Sequence, residues 1–231
     1  VIAMLSAETA AVRTGGASQL DTAFVDALAE VAENSDLEPA FRAQILQLPG
    51  EADIAREIGA DIDPDAIATA RKRLTAMIAE RTGSRLAGVA ESMAVTGEFS
   101  PDAASAGRRA LANAALALTV GGGAPEAVAR VVARYETADN MTDRLAALSI
   151  LAANALDERF AALDAFYQRY RNDPLVLDKW LTLEALVPAE TTLDRVRELT
   201  RHPNISMANP NRARSLVGGF AANQTQFNRA D

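Results

Sequence analysis

The chain has 231 residues, 49% of them hydrophobic but only 5% aromatic, and a formal net charge of −8. This is enough for one large or two small domains with a sizeable core, and so few aromatics leave Ala, Leu, Ile and Val to build it, which suits closely approaching helices. The acidic balance argues against a nucleic-acid partner, the lack of any run of 18 apolar residues argues against a membrane span, and the absence of Cys excludes disulfides, thiolate nucleophiles and Cys-based zinc sites.

The first stretch, VIAMLSAETAAVR, has no basic leader and is too polar for a signal peptide. With no initiator Met it is read as starting inside a longer protein, and the lack of Cys favours a reducing cytoplasm. Residues 51–66, EADIAREIGADIDPDA, hold six acids against Arg56. Asp61, Asp63 and Asp65 resemble the first ligands of a calcium loop, but Pro64 interrupts them and position twelve is Lys72, so a solvated acidic face with capping Asp is expected. From Asp63-Pro64, an N-cap with proline in the first turn, the spacing predicts a helix to residue 82 with Ile67, Ala70, Leu74, Met77 and Ile78 on one face and Gly83 as a breaker.

Gly121-Gly122-Gly123-Ala124-Pro125 lacks the Lys and Ser/Thr of a phosphate loop and reads as a flexible turn before a helix. NMTDRLAAL, 140–148, opens a helix capped by Asn140 or Thr142, with Asp143 in its first turn and Met141, Leu145, Leu148 and Ala152 descending one face. Phe160, Leu163, Tyr167 and Tyr170 make another stripe, with Asp157 as cap. In 175–187, LVLDKWLTLEALV, two adjacent stripes (Val176, Trp180, Leu183, Val187; Leu177, Leu181, Ala185) predict a helix sandwiched between neighbours. Together these signals predict an all-α chain of about a dozen helices, an α-solenoid of irregular antiparallel pairs of the ARM/HEAT kind, forming a single helical-repeat domain over 1–231.

Little in the sequence can do chemistry. His202 is the sole histidine, which rules out H-E-x-x-H, and no G-x-S-x-G occurs. The sequons at Asn140, Asn204 and Asn223 read as caps and turns. Residues 194–214 carry five arginines against two acids, either a wall for an anionic group such as a peptide carboxylate or ordinary arginines paired with acids elsewhere.

Four stretches, LPGEADIAREIGADIDPDAI (48–67), NMTDRLAAL (140–148), LVLDKWLTLEA (175–185) and NPNRARSLVGGFAANQTQF (209–227), resemble in words and order the C-terminal helical domain of bacterial aminopeptidase N, a family of zinc gluzincin peptidases. The resemblance implies a non-catalytic domain that encloses the active-site chamber and limits peptide access. Its partners would be the catalytic domain of the same polypeptide and the peptides in the chamber. Zn²⁺ would sit in the parent's catalytic domain, with no cofactor, catalytic residue or metal ligand here. Asn209, Asn211, Arg212 and Arg214 are candidates for the chamber wall or domain interface. A fragment truncated at both ends would be inactive alone and, cut mid-array, open to an artificial dimer through its C-terminal end. The competing readings are a stand-alone helical scaffold for protein partners and a carboxylate-metal enzyme built on residues 51–65.

Overall fold

The computed structural model describes residues 1–95 and 97–229, and among them all regular structure is helical. The extreme C-terminus, through which a dimer was expected, includes residues 230 and 231, outside the described residues. Eleven helices follow in order: α1 (Ile2–Thr14), α2 (Thr22–Glu33), α3 (Pro39–Ile45), α4 (Glu51–Ile58), α5 (Pro64–Ser92), α6 (Ala103–Thr119), α7 (Pro125–Thr137), α8 (Met141–Ala153), α9 (Arg159–Tyr170), α10 (Pro174–Leu186) and α11 (Thr192–Thr200). A continuous run of α12 (Pro210–Ala213), a π turn (Arg214–Gly218) and α13 (Gly219–Ala222) comes next, then α14 (Gln224–Phe227). The all-α class predicted from periodicity is the class adopted. The chain divides into two compact units, Val1–Ala147 and Leu148–Asp231.

In the first unit α5 is the central rod, and α1, α2, α4 and α6 all pack on it. Asp63 starts it by accepting the Ala66 N–H at 3.0 Å, with Pro64 in the first turn. Ile67, Ala70, Leu74 and Ile78 are fully buried as the spacing predicts, while Met77 is half-buried. Gly83 does not break the helix. An interior glycine costs about 1 kcal/mol, whereas Leu86 and Val89 beyond it continue the buried stripe and each contributes about 1.5–3 kcal/mol.

The triple glycine is likewise more than a hinge. A Cβ on Gly121 would stand 2.2 Å from the Thr75 carbonyl oxygen of α5, so only glycine lets the α6–α7 turn lie on that helix.

In the second unit both predicted stripes of α10 are buried, Leu183 excepted, which is half-buried. The Trp180 indole N–H donates to the Leu163 carbonyl at 3.0 Å, and its ring lies 4.7 Å from Tyr167. Two expectations for α9 fail. Phe160 is 62% exposed, with the Arg159 guanidinium 4.0 Å over its ring, and Phe166 fills the core instead. Asp157 caps nothing through its side chain: the Phe160 N–H bonds the Asp157 carbonyl, and the carboxylate sits 3.8 Å from Arg159.

Candidate functional site

The words that carry the resemblance fold into two polar devices, one in each unit. In the first unit Asn140 accepts the Asp143 N–H at 3.0 Å and so caps α8, while Thr142 stays exposed. The Asp143 carboxylate is buried. One oxygen accepts from Asn113 of α6 at 3.0 Å; the other accepts from Asn140 at 3.0 Å and lies 3.0 Å from Arg134 of α7. Arg144, also buried, donates to the Tyr135 and Ala138 carbonyls at the end of α7. A carboxylate thus meets the positive end of α8 and a guanidinium the negative end of α7. Each buried charge is compensated, the condition on which burial is tolerable. Sequence reading placed Asp143 in the first turn but missed that it and Arg144 are interior, because their partners sit on α6 and α7 and meet them only when those helices pack.

In the second unit, Asp173-Pro174 and Asn209-Pro210 start two helices in the same manner. Asp173 accepts from the N–H groups of Leu175 and Val176, and Asn209 accepts from Asn211 N–H at 2.9 Å. Near the start of its run, buried Arg212 donates to the Pro174 carbonyl at 3.0 Å and pairs with Asp178. At the far end, buried Asn223 donates to the Ala185 and Val187 carbonyls at 3.1 and 2.9 Å. Start meets start and end meets end, so the run 210–222 lies parallel to α10, clasped at both ends. Between the clasps Gly219 lets the helices touch: a Cβ there would meet Ala185 Cβ at 3.2 Å.

Of the four wall or interface candidates, Asn209 is therefore a cap, Arg212 is a buried clasp, and Asn211 and Arg214 are exposed. Three of the five arginines of 194–214 pair with acids: Arg195 with Glu184 at 2.8 Å, Arg197 with Asp194 at 3.1 Å, and Arg212 with Asp178. The hydrogen bonds that Arg195 donates to the Glu184 carboxylate hold its guanidinium above its ordinary pKa.

Two of the six acids of 51–66 are used within their own helix starts. Asp53 pairs with Arg56 at 2.9 Å and accepts the Gly50 N–H, while Asp63 caps α5. Among the described residues no group of three or more His, Cys, Asp or Glu stands close enough to hold a metal ion. His202 accepts the Asn204 N–H on Nδ1 and packs edge-on to Tyr167 at 5.5 Å, a donor set that does not fit zinc. No helix among the described residues is long and apolar enough to cross a membrane.

The chain is 40% identical over 198 residues to aminopeptidase N of Caulobacter vibrioides, covering 86% of this chain and 23% of that protein. It is 36% identical to aminopeptidase N of Escherichia coli, covering 89% and 24%, and 34% identical to that of Haemophilus influenzae, covering 90% and 23%. It therefore spans about a quarter of the length of these relatives. A crystal structure of Legionella pneumophila aminopeptidase A in complex with aspartic acid superposes with a TM-score of 0.83 at 22% identity, covering 96% of this chain and 27% of that one, and so shares the fold. Residues 2–231 match the family described as a domain of unknown function (DUF3458_C) with ARM repeats. The chain belongs to that ARM-repeat family, the helical domain it shares with bacterial aminopeptidase N.

Proposed function

We propose that this chain serves as the non-catalytic helical domain of a zinc aminopeptidase of the N type, a wall that encloses the peptide chamber and limits entry. Zinc and the bond-breaking groups belong to the catalytic domain of the same polypeptide, which is this domain's partner, and the whole works in the cytoplasm on peptides. The observation that carries the reading is identity of 34–40% to three proteins named aminopeptidase N along 86–90% of this chain. Of the four candidates, exposed Asn211 and Arg214 suit a wall, with Asn209 and Arg212 holding their helix in place beneath them.

The test has two arms. The isolated chain supplied with Zn²⁺ is expected to release no product from an aminoacyl p-nitroanilide. In the full-length parent, Arg214→Glu is expected to raise KM for longer peptides while leaving kcat on the aminoacyl p-nitroanilide unchanged. Hydrolysis by the isolated chain would overturn the non-catalytic assignment, and an unaltered dependence on peptide length would overturn the role of Arg214 in the wall.

A further inference from the structure

We infer that the first unit binds a small aliphatic monocarboxylate in the cleft between α2, α3 and α5, with Arg42 as its anion receptor. The cleft has a volume of about 390 Å³ and is lined by Glu33, Arg42, Ser84, Arg85, Gly88 and Met93, among others. That is the size of a small-molecule site.

Arg42 is 5% exposed, and no Asp or Glu pairs with it among the described residues. Of its three nitrogens only Nη1 meets an oxygen, the Ala32 carbonyl at 3.0 Å. Nη2 meets the Met93 thioether at 3.9 Å, a weak acceptor, and buried Nε has no partner. Nε and Nη2, neither of which meets an oxygen, form one edge of the guanidinium fork, the edge that takes a carboxylate with two parallel hydrogen bonds. Nη1 meets the negative end of α2 as Arg144 meets that of α7, but buried Nε is left without an acceptor, which is costly, and an incoming carboxylate removes that cost.

The remaining lining sets the ligand's charge and shape. Arg85 grips Glu33 through Nε and Nη2, with Nη2 2.5 Å from Oε2. With Arg42, the three charged groups sum to a single positive charge, which one carboxylate balances. A phosphate dianion would overshoot and face Glu33. Ser84, Gly88 and Ser92 recur every four residues along α5, and a Cβ on Gly88 would meet nothing within 4 Å, so the helix floor is open to an aliphatic tail alongside Val89. Met93 is the movable element: an unbranched thioether just past the end of α5 yields its place at Nη2 without moving a helix.

The experiment uses the whole chain labelled at the methionine methyl groups. Titration with butyrate is expected to shift the Met93 methyl resonance, among the five methionines, with a Kd of about 1 mM. Isosteric butyramide and inorganic phosphate are expected to leave it unmoved. Gly88→Leu fills the floor without touching Arg42 and is expected to abolish the shift while preserving the helical signal. Should that variant fail to fold, Ser84→Leu is read the same way. An acetylated dipeptide acid and its amide separate the two sources of carboxylate: tighter binding of the acid than of butyrate names a peptide C-terminus, and binding of butyrate alone names a free acid. No response to either carboxylate, an equal response to butyramide, or unchanged binding in the folded floor variants would each overturn the site.

Discussion

In residues 1–147 the hydrophobic cluster around α5 holds only Leu, Ile, Val and Ala, and α5 itself supplies Ile67, Ala70, Leu74, Ile78, Leu86 and Val89. In residues 148–231 the longest helix has thirteen residues, and aromatic side chains join the aliphatic ones in the interior: Phe166, Trp180 and Tyr167 are buried, with His202 against Tyr167. The difference follows from helix length. A long rod satisfies most of its own backbone and can be packed tightly with small residues. Short helices expose a larger share of unpaired backbone ends, so the second unit ties them with side chains: Trp180 to Leu163, Arg212 to Pro174, and Asn223 to Ala185 and Val187. The corner at Asn140–Arg144 is the first unit's answer to the same need, placed where α7 ends and α8 begins.

Three pairs of substitutions probe this contrast. Gly121→Val drives a side chain into the backbone of α5 and is expected to cost more than about 4 kcal/mol, seen as loss of hydrogen-exchange protection in α5. Gly122→Ala, where a Cβ meets nothing within 4 Å, should leave that protection intact. Phe166→Ala empties the aromatic interior and is expected to cost about 4 kcal/mol in urea titration, more than Ala70→Gly costs in the other unit. Asp143→Ala strands Arg134 and removes acceptors from Asn113 and Asn140, an expected loss of about 3 kcal/mol that Asp143→Asn only partly restores.

The smallest effect depends on pH. Burial works against the charge on Glu8, but the Gln19 N–H, the Arg73 guanidinium and the Ser18 hydroxyl outweigh it and hold the carboxyl below its ordinary pKa of 4.5. Ionised Glu8 therefore contributes its full stabilisation above the unfolded value and loses it as pH falls through the lower folded value. Glu8→Gln is expected to cost about 2 kcal/mol at pH 7, with the gap to the parent closing in acid. A gap that stays constant down to pH 2 would break the assignment.

Local signals proved legible in the sequence and distant ones did not. The caps at Asp63 and Asn140, and the double stripe of α10, were readable because each is settled within a turn or two of helix. Gly83 misled because propensity is weak beside an apolar stripe that continues past it. Phe160 misled because periodicity fixes a face but not where a neighbouring helix ends. Among the site candidates, Arg212 could be seen as one basic residue of five, yet its burial on Asp178, 34 positions earlier, could not. Glu8, Asp143 and Glu184 were hidden for the same reason: a charged side chain gives no sign of burial until its partner folds beside it.

The π turn at Arg214–Gly218 gives the parallel clasp a tolerance of its own. A widened turn of this kind holds one residue more than the ideal spiral needs, so the stretch between Arg212 and Asn223 carries slack, while α10 opposite carries none. Shortening the chain by exposed Val217 should let the coil relax to ordinary pitch with both anchors still reaching their carbonyls, whereas removing any one residue from the middle of α10 would pull one anchor off its target.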